Sequence, residues 1–182
     1  MTTAAVETRN TWTIDPSHTT VEFVAKHMMI TTVKGRFAEL TGTIVADESN
    51  IADSSVEATL QAASLDTRNE QRDAHLRSPD FLDVENYPTV TFRSTRVEGT
   101  KDEFQLTGDL TIRGVTRPVT LQMKFNGYGV DPLTKEDKLG FSAQGHFSRS
   151  QFGLGTWYPA VGDDVRVRIE AEFARHADAE AR

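Results

Sequence analysis

The sequence predicts an all-β protein: an eight-stranded antiparallel barrel with a short helical insert near residues 67–83. Apolar and polar residues alternate with period two in at least seven segments, as in strands that bury one face. Clusters of turn residues separate these segments, as antiparallel connections require. The helical segment is too short to cover the sheet, which must therefore pack as a sandwich or close as a barrel. Closure also removes the exposed edges.

The strands follow in chain order from this alternation. A short segment at residues 11–14 precedes the pattern of Val21, Phe23 and Ala25, and further apolar alternation runs from Val33 to Ile44. In the later segments, the apolar residues all have odd or all have even numbers; these segments are residues 56–62, 90–92, 104–112, 119–125, 139–147 and 165–173. The connections are predicted at residues 46–50, 98–102, 113–118 and 127–137.

One segment breaks the period of two. Thr67 and Glu70 have the Thr-x-x-Glu spacing of a capping box, which predicts a helix near residues 68–77. Ser78 followed by Pro79 resembles a second helix start, with proline at the first helical position. We therefore expect a further helical turn near residues 79–83.

The length of 182 residues suits a single domain, which we place at residues 11–174. Residues 1–10 are predicted to be disordered, and residues 175–182 are predicted to form a frayed tail. The first ten residues lack a signal-peptide pattern, and no apolar run is long enough to span a bilayer. We expect a cytoplasmic protein that is not membrane-spanning; a chain from which a signal had been removed, periplasmic or secreted, would have the same sequence.

Composition excludes several functions. The 20 basic residues against 27 acidic ones give a net charge of -7, which repels phosphate backbones, so we expect no nucleic-acid partner. The absence of cysteine excludes disulfides, thiolate nucleophiles and cysteine-based metal sites. The glycine cluster at residues 152–157 has neither a P-loop lysine nor dinucleotide-fingerprint spacing, and no Gly-x-Ser-x-Gly elbow occurs. We expect no catalytic residues, no enzyme activity and no cofactor.

The histidines are the remaining candidates for a metal or an acid–base site. His18 and His27 are nine residues apart, so in one uninterrupted strand they lie on opposite faces and roughly 30 Å apart. They cannot share a metal there unless the strand bends. His27 has the parity of Phe23 and is expected to point inward at one end, whereas His146 is expected to face outward and His75 to be structural. We therefore expect no metal site.

The interior is expected to contain an apolar cavity. An eight-stranded barrel is either filled by side chains or holds one small apolar ligand. Ten phenylalanines could fill the core, but several small residues share the inward parity and leave volume unfilled. These small residues are Ala25, Gly35, Gly42, Ala58, Gly108 and Ala143.

Five blocks of sequence resemble the YceI-like family of polyisoprenoid-binding proteins. In order, they are "WTIDPSHTTVEFVAKHM" at 12–28, "VKGRF" at 33–37, "SLDTRNEQRDAHLRSPDFLDVENYPTVTF" at 64–92, "LTGDLTIRGVTRPVTL" at 106–121, and "FSRSQFGL" with "VGDDVRVRIEAE" at 147–172. No single block is specific, but their order and spacing cover nearly the whole chain. The resemblance implies an elongated, lipocalin-like barrel that holds a long isoprenoid lipid, such as a polyprenyl lipid or a quinone, in an apolar tunnel.

The resemblance also implies site residues and partners. His27 and Arg149 are possible polar contacts at the tunnel ends, and the candidate wall residues are Phe23, Phe37, Phe92, Leu110, Leu121 and Phe141. The isoprenoid lipid is the expected partner, and a homodimer is a family-level expectation. Three functions stay open: a non-catalytic carrier, reservoir or sensor of the lipid; an enzyme that modifies it with His27 or His75 as acid or base; and a filled barrel that is only a stress-response or interaction protein.

Overall fold

The protein is described by a computed structural model, and its structure is described here for residues 9–175. These residues form eleven strands, four short 3₁₀ turns and one α-helix. The helix, α1, is Glu70–Arg77. The strands are β1 (Arg9–Ile14), β2 (Thr20–His27), β3 (Thr31–Phe37), β4 (Leu40–Asp47), β5 (Ser55–Gln61), β6 (Leu65–Asp66), β7 (Thr89–Gly99), β8 (Glu103–Ile112), β9 (Val115–Val130), β10 (Asp137–Ser148) and β11 (Asp164–Arg175).

The strands close into an antiparallel barrel of eight long strands. Three of the long strands are each divided in two by a short break: β1 from β2, β3 from β4, and β5 from β6. Consecutive long strands pair with each other around the barrel. The last strand returns to the first, because β11 pairs with both β1 and β2. The predicted fold, an eight-stranded antiparallel barrel with one short helical insert, is confirmed.

The boundaries of the strands differ from the prediction in detail. β1 begins at Arg9, two residues before the predicted domain start, and β11 includes Arg175. The rest of the predicted disordered segment and tail lie outside the described residues. The turns predicted at 113–118 and 127–137 are shorter, since β9 spans 115–130 and even includes Pro118 opposite Asp109. Turn residues therefore overstate the length of these two connections.

Polar contacts anchor the insert in addition to its few apolar side chains. The N-cap of α1 is Asn69, whose side chain accepts the Arg72 N–H at 2.9 Å, so the predicted capping box does not form. Thr67 instead donates its N–H and hydroxyl to the buried carboxylate of Asp73. Arg77 donates to the carbonyls of Ala63 and Leu65, which ties the helix to β6. After Ser78 the chain forms hydrogen-bonded turns, in the region where a helical turn was predicted.

The two ends of the barrel are different. At the end that we call the insert end, four connections meet: the hairpin tip 28–30, the insert 67–88, the turn 113–114 and the segment 149–163. The opposite end has the connections 48–54, 100–102 and 131–136. Near that end, Trp12, Ile44 and Phe173 form a small buried cluster, and the Arg175 guanidinium lies 4.7 Å from the Trp12 ring centroid. The larger covers are thus all at the insert end.

Aromatic rings occupy the space above two inward-facing glycines. A Cβ at Gly35 would lie 2.2 Å from Phe23 Cζ, and a Cβ at Gly108 would lie 2.4 Å from Phe92 Cζ. These two glycines therefore do not leave the empty volume that the sequence predicts, because each is covered by the ring of a neighbouring strand. The alanines of the same prediction, Ala25, Ala58 and Ala143, do face the interior space.

No helix within residues 9–175 is long and apolar enough to cross a membrane.

Gly108→Ala tests this close packing. The new methyl group would meet the Phe92 ring and, at 2.6 Å, the carbonyl oxygen of Arg93, so strand β7 must shift. We expect the free energy of unfolding to fall by about 1–3 kcal/mol, measured by urea denaturation. Gly129→Ala is the control, since a Cβ there meets nothing within 4 Å. Equal stability of the Gly108→Ala variant and the native protein would contradict the packing.

Candidate ligand cavity

The barrel encloses an apolar cavity of about 310 Å³. Its volume lies at the low end of the range of roughly 300–1,000 Å³ that is usual for ligand pockets. Residues of constant parity on neighbouring strands form its wall, for example Val165, Val167 and Ile169 on β11. Among the described residues that line it, all are apolar except Thr91 and Arg149. A ligand in this space must therefore be held mainly by apolar contacts.

Phenylalanine rings narrow the cavity toward the opposite end. The ring of Phe141 lies at the centre of this cluster, with centroids 5.4 Å from Phe125, 6.2 Å from Phe104 and 6.1 Å from Phe173. The ring pairs with Phe104 and Phe173 are edge-to-face, an arrangement that aromatic quadrupoles favour. The interior is thus a packed aromatic cluster near one end and an open apolar space beyond it.

The covers close the cavity at the insert end. Leu76, Phe81 and Leu82 from the insert line it from one side, and Leu154 and Val161 line it from the segment 149–163. The insert is fixed to the barrel rim by Arg113, which donates to the Phe81 carbonyl at 2.8 Å. The sequence does not indicate these lining residues, because they lie in a short helix and in irregular segments without a periodic apolar pattern.

Arg149 organises the segment 149–163. Its side chain is buried, with 5% of its surface exposed, and it lines the cavity. The guanidinium donates to four backbone carbonyls, those of Leu154, Thr156, Val161 and Gly162. Burial lowers the pKa of the guanidinium, while the nearby charge of Asp163 opposes that shift. Arg149 is therefore engaged by the protein itself and holds the cover in place.

Asp163 closes the same segment at its base. Its carboxylate accepts the Ser150 N–H and the Ser150 hydroxyl, both at 2.9 Å. Burial alone would raise the pKa of Asp163, but these hydrogen bonds and the Arg149 charge lower it overall. The cover thus contains one cation, Arg149, and one carboxylate, Asp163, and the hydrogen bonds of both fix its backbone.

The predicted site residues fall into two groups in the structure. Seven of the eight line the cavity: Phe23, Phe37, Phe92, Leu110, Leu121, Phe141 and Arg149. His27 does not line it and is exposed at the end of β2, where it forms an isolated bridge with Val161. The direction expected from its parity does not bring His27 into the wall, because the wall of β2 ends at Ala25 and Val161, the bridge partner of His27, lines the cavity at the next level.

The other histidines make polar contacts of their own. The His75 Nε2 lies 2.9 Å from the Asp80 carboxylate, and its ring packs edge-on against Phe81 and Trp157. His146 faces outward, as expected, with Nδ1 2.9 Å from Asp164. Neither ring is among the residues that line the cavity.

Asp15, His18 and Glu172 are the one group of described residues whose ligand atoms could converge on a metal ion, within 4.8 Å of one another. Lys138 already forms ion pairs with this group, since its Nζ lies 2.9 Å from Asp15 and 3.4 Å from Glu172. Burial would lower the pKa of Lys138, but its hydrogen bonds to Asp15 and Glu136 raise it overall. The cluster therefore behaves as an internal ion network at the break between β1 and β2.

Comparisons with known proteins agree with this architecture. The family described as "YceI-like domain" matches residues 12–173. Protein YceI of Escherichia coli O157:H7 is 39% identical over 155 residues, which cover 85% of this chain and 81% of that protein. The crystal structure of Burkholderia cenocepacia BcnA has the same fold, with a TM-score of 0.79 and 24% identity over 87% of this chain and 98% of that chain.

A further solved structure is described as a polyisoprenoid binding domain from Saccharophagus degradans implicated in plant cell wall breakdown. It matches 91% of this chain and 98% of its own chain with a TM-score of 0.64 and 13% identity. At this identity the match concerns the fold alone.

Arg149→Met tests the role of the guanidinium as an organiser of the cover. Methionine retains much of the apolar bulk but leaves four carbonyls without their donor. We expect a loss of about 2–4 kcal/mol in the free energy of unfolding and faster amide hydrogen exchange in residues 153–162. Arg96→Met, at an exposed guanidinium, is the control. Native-like exchange in the cover of the Arg149→Met variant would contradict this role.

Asp15→Asn tests the ion network through its pH dependence. Hydrogen bonds from Ser17 and then His18 lower the pKa of Asp15 far below its usual value of about 3.9. Because the folded-state pKa is lowered, the stabilisation is complete above that usual value and disappears as the pH falls through the folded-state pKa. We expect the variant to be about 1–3 kcal/mol less stable at pH 7, with a difference that shrinks toward pH 2.

The measurement is urea unfolding across this pH range, with Asp102→Asn at an exposed loop carboxylate as the control. A difference between native protein and Asp15→Asn that stays constant with pH would contradict the assignment.

Proposed function

The chain belongs to the family of YceI-like domains, and we propose that it binds a long-chain isoprenoid lipid in its barrel as a non-catalytic carrier, reservoir or sensor. The observation that carries the proposal is the cavity inside the barrel, whose wall is almost entirely apolar. The polyisoprenoid-binding description of a protein with the same fold supports the same ligand class.

The chemistry of the wall matches an unsaturated hydrocarbon chain. Burial of apolar surface contributes about 25 cal/mol per Å², so each added isoprene unit strengthens binding without a hydrogen bond. The wall contains both phenylalanine and branched aliphatic side chains, and they can pack against the methyl branches and double bonds of a prenyl chain. Affinity is therefore expected to depend on chain length more than on the head group, which can be that of a polyprenyl lipid or a quinone.

The polar groups near the cavity favour binding over catalysis. The guanidinium of Arg149 is engaged with backbone carbonyls, and Thr91 is the other polar residue of the described wall. His27 is exposed outside the cavity, and His75 is paired with Asp80. The alternative of an enzyme with His27 or His75 as acid or base has no supporting contact in this geometry. The proposed function requires no metal or cofactor, and a homodimer stays a prediction.

The first experiment is native mass spectrometry of freshly purified protein, followed by organic extraction and mass analysis of the released lipid. A stoichiometric mass of prenyl-lipid size supports the proposal and identifies the head group. If the protein is empty, the same measurement is made after incubation with polyprenols of several chain lengths. Absence of binding in both conditions would refute the proposal. Conversion of an added lipid, lost in His75→Ala with binding retained, would favour the enzyme.

Ala143→Phe tests the position of the lipid. Ala143 faces the cavity, and the new ring would occupy space that the ligand needs. We expect at least about tenfold weaker binding of a polyprenol, because the ring displaces buried contact area along the chain. Gln144→Phe is the matched control, since the next residue of β10 is exposed on the outside of the barrel. Ala25→Phe gives a second test from another strand if the first variant is unstable. Unchanged binding in both cavity variants would contradict this position.

A further inference from the structure

Five large apolar side chains form one exposed patch at the insert end. Met28, Met29 and Ile30 are at the tip of the β2–β3 hairpin, and Trp157 and Tyr158 are in the segment 149–163; their exposed fractions range from 53% to 76%. The two segments are joined by a hydrogen bond from the Met28 N–H to the Ala160 carbonyl at 2.7 Å and by the bridge between His27 and Val161. We call these five residues the apolar tip.

The backbone of the apolar tip is unfavourable for the residues that it contains. Met28, Met29 and Trp157 have φ values of 52°, 58° and 68°, in the left-handed region that bulky residues rarely adopt. The Ile30 N–H donates to the His27 carbonyl, which gives a hairpin turn whose two central residues have positive φ. Asn and Gly are the favoured residues at such positions. Neither local conformation nor burial therefore accounts for two exposed methionines here.

The charges on the strands that carry the hairpin tip are mainly positive near the tip, whereas the insert, which contacts Trp157 through His75, has three arginines and five carboxylates. From the tip to the level of Glu22, Arg36 and Arg168, the outward-facing rows of β2, β3 and β11 contain five cations and two carboxylates, Glu22 and Asp164. Farther along β11 the same row continues with Glu170 and Glu172, and Arg36 also pairs with Asp66 on β6. The cations are Lys26, Lys34, Arg36, Arg166 and Arg168. This local excess of positive charge occurs in a chain whose net charge is -7, so the negative excess lies elsewhere.

The combination fits the surface of a lipid bilayer. Tryptophan and tyrosine favour the interface between hydrocarbon and head groups, and short apolar tips insert there while flanking lysines contact anionic head groups. We propose that the apolar tip docks the barrel on an anionic bilayer. The surface is continuous with the cover of the cavity, because Val161 lines the cavity and pairs with His27. Docking would place the covered end of the barrel against the membrane.

The two tryptophans allow a direct test with vesicles of equal parts phosphatidylcholine and phosphatidylglycerol, some made with brominated acyl chains. Trp157 is exposed in the apolar tip, whereas Trp12 is buried near the opposite end. We expect brominated vesicles to quench the fluorescence of the native protein and to leave that of Trp157→Phe unchanged. Quenching that persists in Trp157→Phe, or vesicles that do not bind the native protein, would overturn the proposal.

A double variant, Met28→Asn with Met29→Gly, separates docking from folding. These residues suit the positive φ values, so the hairpin is expected to be at least as stable as the native one in urea unfolding. Vesicle partitioning is expected to weaken by roughly tenfold, because two inserted apolar side chains are lost. Leu133→Ser is the matched control, since Leu133 is 90% exposed but lies at the opposite end. Equal weakening in Leu133→Ser, or native partitioning in the double variant, would overturn the proposal.

Two further measurements test whether positive charge contributes to vesicle binding and whether a second copy of the chain, instead of a bilayer, covers the apolar tip. Lys34→Gln with Arg166→Gln is expected to reduce partitioning into anionic vesicles and to leave the weaker binding to pure phosphatidylcholine unchanged. If sedimentation shows a dimer that the Met28→Asn, Met29→Gly variant dissociates, and no vesicles bind, the patch is an interface with a second copy and bilayer docking is refuted. The inference goes beyond lipid binding in the cavity, and vesicle partitioning tests it without a cavity ligand.

Discussion

Closure of the sheet is the constraint on which the rest of the structure depends. β11 pairs with β1 through Thr13 opposite Ala174 and Ile14 opposite Phe173, and with β2 through the five pairs that follow. Once the sheet is closed, each side chain faces either the interior or the outside, and a shift of one residue in any strand would exchange the two sets. The alternation of apolar and polar residues along each strand therefore produces an apolar inner wall and a polar outer surface.

A closed barrel still has two open ends, and in this protein they are closed in different ways. At the opposite end, large rings around Phe141 and Trp12 fill the interior. At the insert end, the covers are too short to bury a large apolar face of their own, and arginines hold them by their backbone carbonyls. Arg149 performs this role in the segment 149–163, and Arg113 does so at the Phe81 carbonyl of the insert. Arg77 acts in the other direction, since it belongs to the insert and donates to the carbonyls of Ala63 and Leu65. Backbone carbonyls are suitable acceptors because irregular segments leave many of them unpaired.

The strands could be predicted because their signal is local. Each long strand repeats its parity over enough residues to reveal which face is buried, and the family resemblance then specifies a closed barrel. The details that depend on partners elsewhere could not be predicted in this way. Thr67 bonds Asp73 in preference to the capping box, and Phe23 covers Gly35 from the neighbouring strand. Parity predicts which face of the sheet a side chain is on, but it does not predict which residues of other segments contact that side chain.

The same limit explains the predicted site. The family resemblance predicted Phe23, Phe92 and Phe141 as wall residues, and all three lie on regular strands, whereas His27 is the last residue of its strand. Parity does not predict which residues line the cavity beyond the end of the strand wall. There, Val161 from a distant segment pairs with His27 and lines the cavity. The cover residues Leu154 and Val161 have no periodic signal at all. Only a structure, or the contacts of Arg149 that hold the cover, could identify them.

The cavity and the apolar tip are both features that stability alone would not select. An unfilled apolar interior lacks packing contacts that would stabilise the fold. Exposed methionines with positive φ lack the stabilisation of burial and have an unfavourable backbone conformation. A ligand that binds the folded state stabilises it in proportion to the logarithm of its concentration, so a bound lipid would restore what the interior lacks. A bilayer would do the same for the apolar tip. If both proposals hold, one environment, a membrane that contains the lipid, would remove both deficits, and both features adjoin the same segment, residues 149–163.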